Sequence, residues 1–345
     1  MGRVGDGGLQ MGRREGSGCG VRGRRVWLLA LVVLMASCSG SAAEVEIAAG
    51  PSDGTPDPSE VTTAPADAPS ATSAPEPPTA TPAEYQGALT ALDDRLSGAR
   101  DELRRHRAPA GLPEAISALR AQVDGGRGAL AAVVPPATVT AAHEELDTAL
   151  LDLSFELTSL ESAAAAQEVC AGDSAIRRLG DSDAAAAVRE ASARLAESDP
   201  LEEYTVGAFV PAPDKQRNRR GRNGDLRRGR RGGAGRLEIT GSPDYDSLLK
   251  LRVKKRGIRN VYVRRNASVT VESLPDGTYE IYLAQGRDWS DADNRFTREC
   301  SFSVFDDKLT FETTSTQYTI YQLELLESFF GNATSTTLDP DDFPN

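Results

Sequence analysis

Apolar residues recur along this chain in two different periods, and the change of period divides it. Between residues 84 and 199 the steps are three and four. Leu89, Leu92, Leu96, Ala99 and Leu103 fall on one helical stripe, which Pro109 and Gly111 interrupt. A second stripe holds Ile116, Leu119, Val123, Leu130 and Val134; Gly125-Gly126 weakens it and Pro135-Pro136 stops it. The third, Leu146, Leu150, Leu153, Leu157 and Leu160, is the most regular and predicts a helix capped by Thr138 or Thr140. A shorter, alanine-rich helix is expected over 183–197. Helices joined by short Pro/Gly connections form a small bundle.

From Leu237 onward the period is two. Strands are expected at 236–240, 247–254, 259–264, 268–272, 277–284, 300–305, 309–313 and 317–326, separated by turn signals such as Pro275-Asp276-Gly277 and Asp306-Asp307. Short, closely spaced strands with polar turns predict an antiparallel β-sandwich over 236–345. The fold class expected is therefore multidomain α+β: a helical bundle over 84–199 and a C-terminal sandwich.

The N-terminal pattern is of a third kind. Arg24-Arg25 precedes an apolar run over 26–36, and Ser37-Cys38-Ser39 follows it. A basic region, an apolar region and small residues make a secretory signal, placed at 1–38. The run is shorter than the roughly 20 residues that span a bilayer. Met35-Ala36-Ser37-Cys38 resembles a bacterial lipobox, in which the cysteine becomes the lipidated first residue of the mature chain. The resemblance implies an extracytoplasmic protein anchored to the cell membrane by Cys38, with secretion free of lipid as the alternative. Residues 39–83 then read as a disordered Pro/Ala/Ser/Thr linker. Nine prolines and no Lys or Arg lie between Ser41 and Ala83, a composition that cannot bury enough apolar surface to offset its ordering entropy.

Charge changes the picture at one further place. The chain carries a net −12, which gives no general reason to expect nucleic-acid binding. Residues 200–235 nevertheless read as an Arg/Gly-rich linker. Arg217, Arg219, Arg220, Arg222, Arg227, Arg228, Arg230 and Arg231 are candidates for binding a polyanion or an anionic surface. No aromatic residue interleaves them, so base stacking has no platform. A solvated inter-domain linker is the competing reading.

Four cysteines are present. With Cys19 in the leader and Cys38 in the lipobox, Cys170 and Cys300 remain as a candidate disulfide for an oxidising compartment, against two separate thiols. Catalytic constellations are weak. His143 and Asp147 share a helix face, but the second histidine of a zinc-protease helix is missing. His106 sits among Arg104, Arg105 and Arg107, where a cation suits a helix C-terminus. Gly172-Asp173-Ser174 resembles the nucleophile block of one esterase class, yet no histidine follows residue 143 to act as its base. Trp289, with Asp288, Asp291 and Asp293, is expected on a loop, either as a carbohydrate or protein contact or as a plug at the end of the sandwich. No cofactor, metal or enzyme activity is expected.

Leu274-Pro275-Asp276-Gly277-Thr278-Tyr279-Glu280-Ile281 resembles the strand entry of transthyretin-like and collagen-binding B-type surface modules. The wider pattern is similar to a C-terminal module of exported actinobacterial proteins, carried by Asp288-Trp289, Phe296-Thr297-Arg298, Phe305-Asp306, Phe311-Glu312-Thr313-Thr314, Gly331-Asn332-Ala333-Thr334 and Phe343-Pro344. The resemblance implies a fold and a location but no activity. The expectation is a non-catalytic, lipid-anchored protein displaying its sandwich to an envelope polymer or surface protein.

Overall fold

The computed structural model describes residues 78–344, apart from Arg228, Arg230, Arg231 and 326–333. The signal, Cys38 and almost all of the 39–83 segment lie outside the described residues. The architecture is α+β: five α-helices and two sheets of mostly antiparallel strands among the described residues.

The helices are α1 (Pro82–Arg105), α2 (Leu112–Ala131), α3 (Thr140–Ala165), α4 (Gly172–Gly180) and α5 (Asp183–Glu197). Helix α1 opens with a capping box in which Thr81 and Glu84 satisfy each other's backbone N–H groups. Its stripe residues Leu89, Leu92, Leu96 and Leu103 are buried in the helical core, where α1 packs on α2 and α4. Helix α2 runs unbroken through Gly125-Gly126. A Cβ on Gly126 would stand 2.5 Å from Leu92 Cδ1, so the glycine permits the close approach of α1. Helix α4 is an addition to the expected four. Its apolar face is only Ala175, Ile176 and Leu179, too few turns to establish a period.

The strands are β1 (Gly224–Arg227), β2 (Gly235–Thr240), β3 (Asp246–Val253), β4 (Arg256–Val263), β5 (Ser268–Leu274), β6 (Gly277–Ser290), β7 (Arg295–Phe305), β8 (Leu309–Phe311), β9 (Ile320–Glu324) and β10 (Ser335–Thr337). The larger sheet runs β1-β4-β3-β6-β7-β10, with β8 paired to β6; the smaller runs β5-β2-β9, where β9 is parallel to β2. Leu237, Ile239, Val271 and Leu274 of the smaller sheet share one apolar cluster with Leu249, Leu251, Val261, Val263, Tyr279 and Ile281 of the larger. The larger sheet is also covered on its other face, where Leu248, Tyr262, Ala284, Trp289, Phe296, Cys170 and Cys300 form a separate cluster. Alternation along Leu248-Leu249-Lys250-Leu251 sends successive side chains of β3 to opposite faces.

Two expectations are corrected. The described residues of 200–235 are not a free linker. Tyr204, Phe209 and Val210 are buried in the helical core, and the Asp93 carboxylate accepts hydrogen bonds from the Gly207 and Phe209 N–H groups. Farther on, Arg219 and Arg220 are bonded to aspartates of the β region, and β1 adds an edge strand to β4. Ion pairs and main-chain bonds hold this segment, so it carries no apolar period. Trp289, expected on a loop, lies within β6 and is 1% exposed, its Nε1 donating to Asp291 Oδ1 at 2.8 Å.

The helical and β regions are joined covalently and by main-chain pairing. Cys170 and Cys300 form a disulfide with a Cα–Cα distance of 6.4 Å. Around it, Cys170 N donates to Thr297 O, Glu299 N to Glu168 O and Cys300 N to Gln167 O, each at 2.9–3.0 Å. Residues 167–170 thus pair along β7 as a short extra strand.

Candidate functional site

Beside this junction lies a cleft of about 380 Å³, within the range of small-molecule sites. Its floor is the helix-facing side of the larger sheet. Register sets Asn260, Lys250 and Tyr282 in one cross-strand row and Tyr262, Leu248, Ala284 and Phe302 in the next. Ala108, Pro109 and Ala110, from the α1–α2 connection, form the roof, and Asp293 to Phe296 close one end.

The C-terminal segment makes the remaining wall. β10 pairs with the edge of β7, and Leu338 N donates to Phe302 O at 2.8 Å. The chain then turns inward. The Phe343 ring stands 5.2 Å from Phe302 and 6.3 Å from Tyr282, both centroid to centroid. Lys250 Nζ lies 4.8 Å over the same ring and donates to the Pro344 carbonyl. An aromatic ring and an adjacent acceptor thus sit together on one cation.

At the opposite end stands Arg295. Among the described residues its guanidinium donates only to carbonyl oxygens, Asp293 O at 3.4 Å and Arg107 O at 3.5 Å. Asp293 is otherwise engaged, accepting from Ser290 Oγ at 2.7 Å and pairing with Arg107 at 3.5 Å. The cleft therefore offers an aromatic surface between two cations, with the Asp293 and Asp341 carboxylates also in its lining. Sequence reading missed Lys250, Arg295 and the position of Phe343. The available signals were a charge inside the apolar run of β3 and the Phe343-Pro344 pair near the end.

The described arginines among those singled out from the sequence stand in different settings. Arg219 grips Asp288 through Nε and Nη2 at 2.8 and 2.7 Å, and Thr297 Oγ1 donates to the same carboxylate at 2.6 Å. Arg220 grips Asp246 at 2.9 and 2.6 Å, joined by Tyr262 OH at 2.6 Å and the Arg265 N–H at 2.8 Å. Burial works to raise both aspartate pKa values. These donors outweigh it and hold the carboxyls below the ordinary range. Burial and the Asp246 carboxylate push the Tyr262 hydroxyl upward. Arg217 is 3.9 Å from Asp214, Arg222 is exposed, and the Arg227 backbone pairs with Asn260. Arg228, Arg230 and Arg231 lie outside the described residues.

The weak constellations resolve as structure. His143 Nδ1 meets Tyr85 OH at 3.0 Å, while Asp147 takes a bidentate grip from Arg127. Burial depresses the His143 pKa and raises that of Tyr85 to about 12. His106 Nε2 lies 2.6 Å from Ala110 O in the turn after α1. Ser174 is buried, its hydroxyl shared between Ala171 O and Thr297 O at 2.7 Å each, tying α4 to β7. Among the described residues, no group of three His, Cys, Asp or Glu side chains converges as a metal site.

Compared with family models, curated proteins and solved structures, the chain finds no match.

Proposed function

We propose that this chain is a lipid-anchored, extracytoplasmic binding protein without catalysis. In this reading Cys38 carries the lipid, residues 39–83 are the spacer, and the joined helical and β regions are the displayed head. The two sheets are read as a β-sandwich, supported by the apolar cluster they share. The observation that carries the location is the disulfide between Cys170 and Cys300, because such bonds persist in oxidising compartments. It belongs beside the signal pattern around Cys38 rather than beside any cytoplasmic chemistry.

The ligand best suited to the cleft is a small organic anion with an aromatic or apolar body. Arg295 supplies a charge with only carbonyl partners among the described residues, and Phe296, Phe302 and Phe343 supply the apolar surface. The competing reading, a polyanion binder acting through 215–236, is weakened because Arg219 and Arg220 are taken up by Asp288 and Asp246.

The deciding experiment is intact mass and detergent partitioning of the wild type beside Cys38→Ala in a bacterial host. A diacylglyceryl-sized mass gain and detergent partitioning in the wild type alone are expected. Aqueous behaviour of both, with cleavage at the same place, overturns the anchor and leaves a secreted binding protein.

A further inference from the structure

The β3–β4 hairpin closes on a two-residue loop, Lys254-Lys255, between the paired Val253 and Arg256. Both loop residues have positive φ, 48° and 65°, as in a type I′ turn. Asn-Gly is the favoured pair there, since glycine lacks the Cβ that strains the left-handed region and asparagine tolerates it. Lysine has neither advantage, so local folding does not account for the choice. Paired left-handed lysines are an outlier of the kind that accompanies function.

Lys254, Lys255 and Arg256 share exposure and charge. Among the described residues none of the three forms an ion pair. Glu280, opposite Arg252 on the neighbouring strand, is bound by Lys308 at 2.8 Å and also lies within electrostatic reach of Arg252 and Lys255, without an ion-pair contact to either. Arg252 stays below the tip, its guanidinium 5.7 Å from the Tyr282 ring and donating to the Lys255 carbonyl. Three adjacent cations thus sit at a hairpin end, in a chain of net charge −12.

We propose that Lys254, Lys255 and Arg256 form a docking tip for an anionic phospholipid surface. A hairpin end is convex and offers no cradle of converging donors for one discrete phosphate, whereas a plane of diffuse charge needs none. The tip exposes no large apolar side chain, so it rests on headgroups rather than inserting. Each cation contributes about five-fold to binding and the three together on the order of 100-fold, declining with salt. That modest affinity suits a head already held near a membrane, and the inference stands whether or not Cys38 carries lipid.

The test is sedimentation of the full chain bearing Cys38→Ala with phosphatidylcholine vesicles, with and without phosphatidylglycerol. Binding is expected only when phosphatidylglycerol is present. Lys254→Asn/Lys255→Gly installs the favoured turn, so it should melt no lower than its parent while binding falls by about 25-fold. Arg256→Gln should remove about a further five-fold. The proposal is overturned if the turn variant binds as its parent does, or if charge-free vesicles bind equally well. It is also overturned if Arg228→Gln/Arg230→Gln/Arg231→Gln alone abolishes binding, or if soluble polyphosphate binds while phosphatidylglycerol vesicles do not.

Discussion

The helical and β regions solve the burial problem with different materials. In the helical region, Leu146, Leu150, Leu153, Leu157 and Leu160 of α3 meet the leucines of α1 and α2 in one aliphatic cluster. Its close approaches are made by removing side chains, at Gly126 against Leu92 and, tightest, at Gly172, where a Cβ would run into Leu103 O. In the β region the larger sheet is covered on both faces, and it buries Asp246 and Asp288 at hydrogen-bonding distance from arginines on an irregular segment. Aliphatic packing forgives small changes of volume and geometry. A buried carboxylate does not forgive loss of its partners. The contrast predicts a helical region that yields gradually and a β region that fails at particular bonds.

The largest effect should come from cutting the covalent link between them. Cys170 and Cys300 are 130 residues apart, and a closed loop of that size is worth about 4–5 kcal/mol in the chain-entropy model. Cys170→Ser/Cys300→Ser should lower the melting temperature and widen the separation between the helical and β transitions. Transitions left unshifted would mean that main-chain pairing around Thr297 suffices by itself.

Next come the aspartates. Asp246→Ala and Asp288→Ala should each cost about 3 kcal/mol. The figure lies at the low end for buried pairs because the Arg220 and Arg219 side chains, 32% and 44% exposed, can turn to water. Leu157→Ala should cost a similar amount but in the helical transition. Urea titration followed by helical circular dichroism and by Trp289 fluorescence distinguishes the two. If Asp246→Ala moves both signals equally, the regions are one cooperative unit and the contrast is wrong.

Acid sharpens the same comparison. Asp246 and Asp288 titrate below their ordinary 3.8 in the folded state. Their stabilisation is therefore complete above about pH 4 and lost as pH falls through the folded values. His143 titrates below its ordinary 6.5 because of burial. Its environment favours the neutral ring, so stability is highest above about pH 6.5 and falls as pH drops from there toward the folded value. The helical region should begin to weaken near pH 6 while the β region holds to about pH 4. Calorimetry across that interval reads this, and His143→Gln should flatten the upper part of the helical curve.

The smallest effects test the glycines. Gly128 has no atom within 4 Å of a built Cβ, so Gly128→Ala should stabilise α2 by about 0.5–1 kcal/mol. Gly126→Ala must displace Leu92 Cδ1 and should destabilise. Equal effects at the two positions would show that α1 and α2 are packed less tightly than described.

How much was legible from sequence follows the same division. The stripes of α1, α2 and α3 were readable because each helix buries one face and its own spacing records which. Helix α5 was also readable, its start marked by Ser182, which caps the Ala185 N–H at 3.2 Å. Helix α4 was not, because nine residues hold too few turns. Most strands were found by alternation, but β1 was hidden in a run of arginine and glycine whose partners lie on β4. In the candidate cleft, Asp293, Phe296 and Phe343 stood out in the sequence for other reasons, and none was marked as a cleft residue. Lys250, Arg295 and Phe343 are far apart in the chain, and only the register of β3, β6 and β7 with the return of the C-terminal segment assembles them.

Local spacing by itself determined the change from helix to strand near residue 236, the aliphatic faces of the long helices, and the two cysteines available for pairing. Tertiary structure alone decided that Arg219 and Arg220 serve buried aspartates, that residues 167–170 pair alongside β7, and that Lys250 stands over the Phe343 ring. Periodicity records the burial of a face by its own element. Charge pairing and strand addition join residues distant in sequence, and one chain read alone carries no mark of which partners will meet.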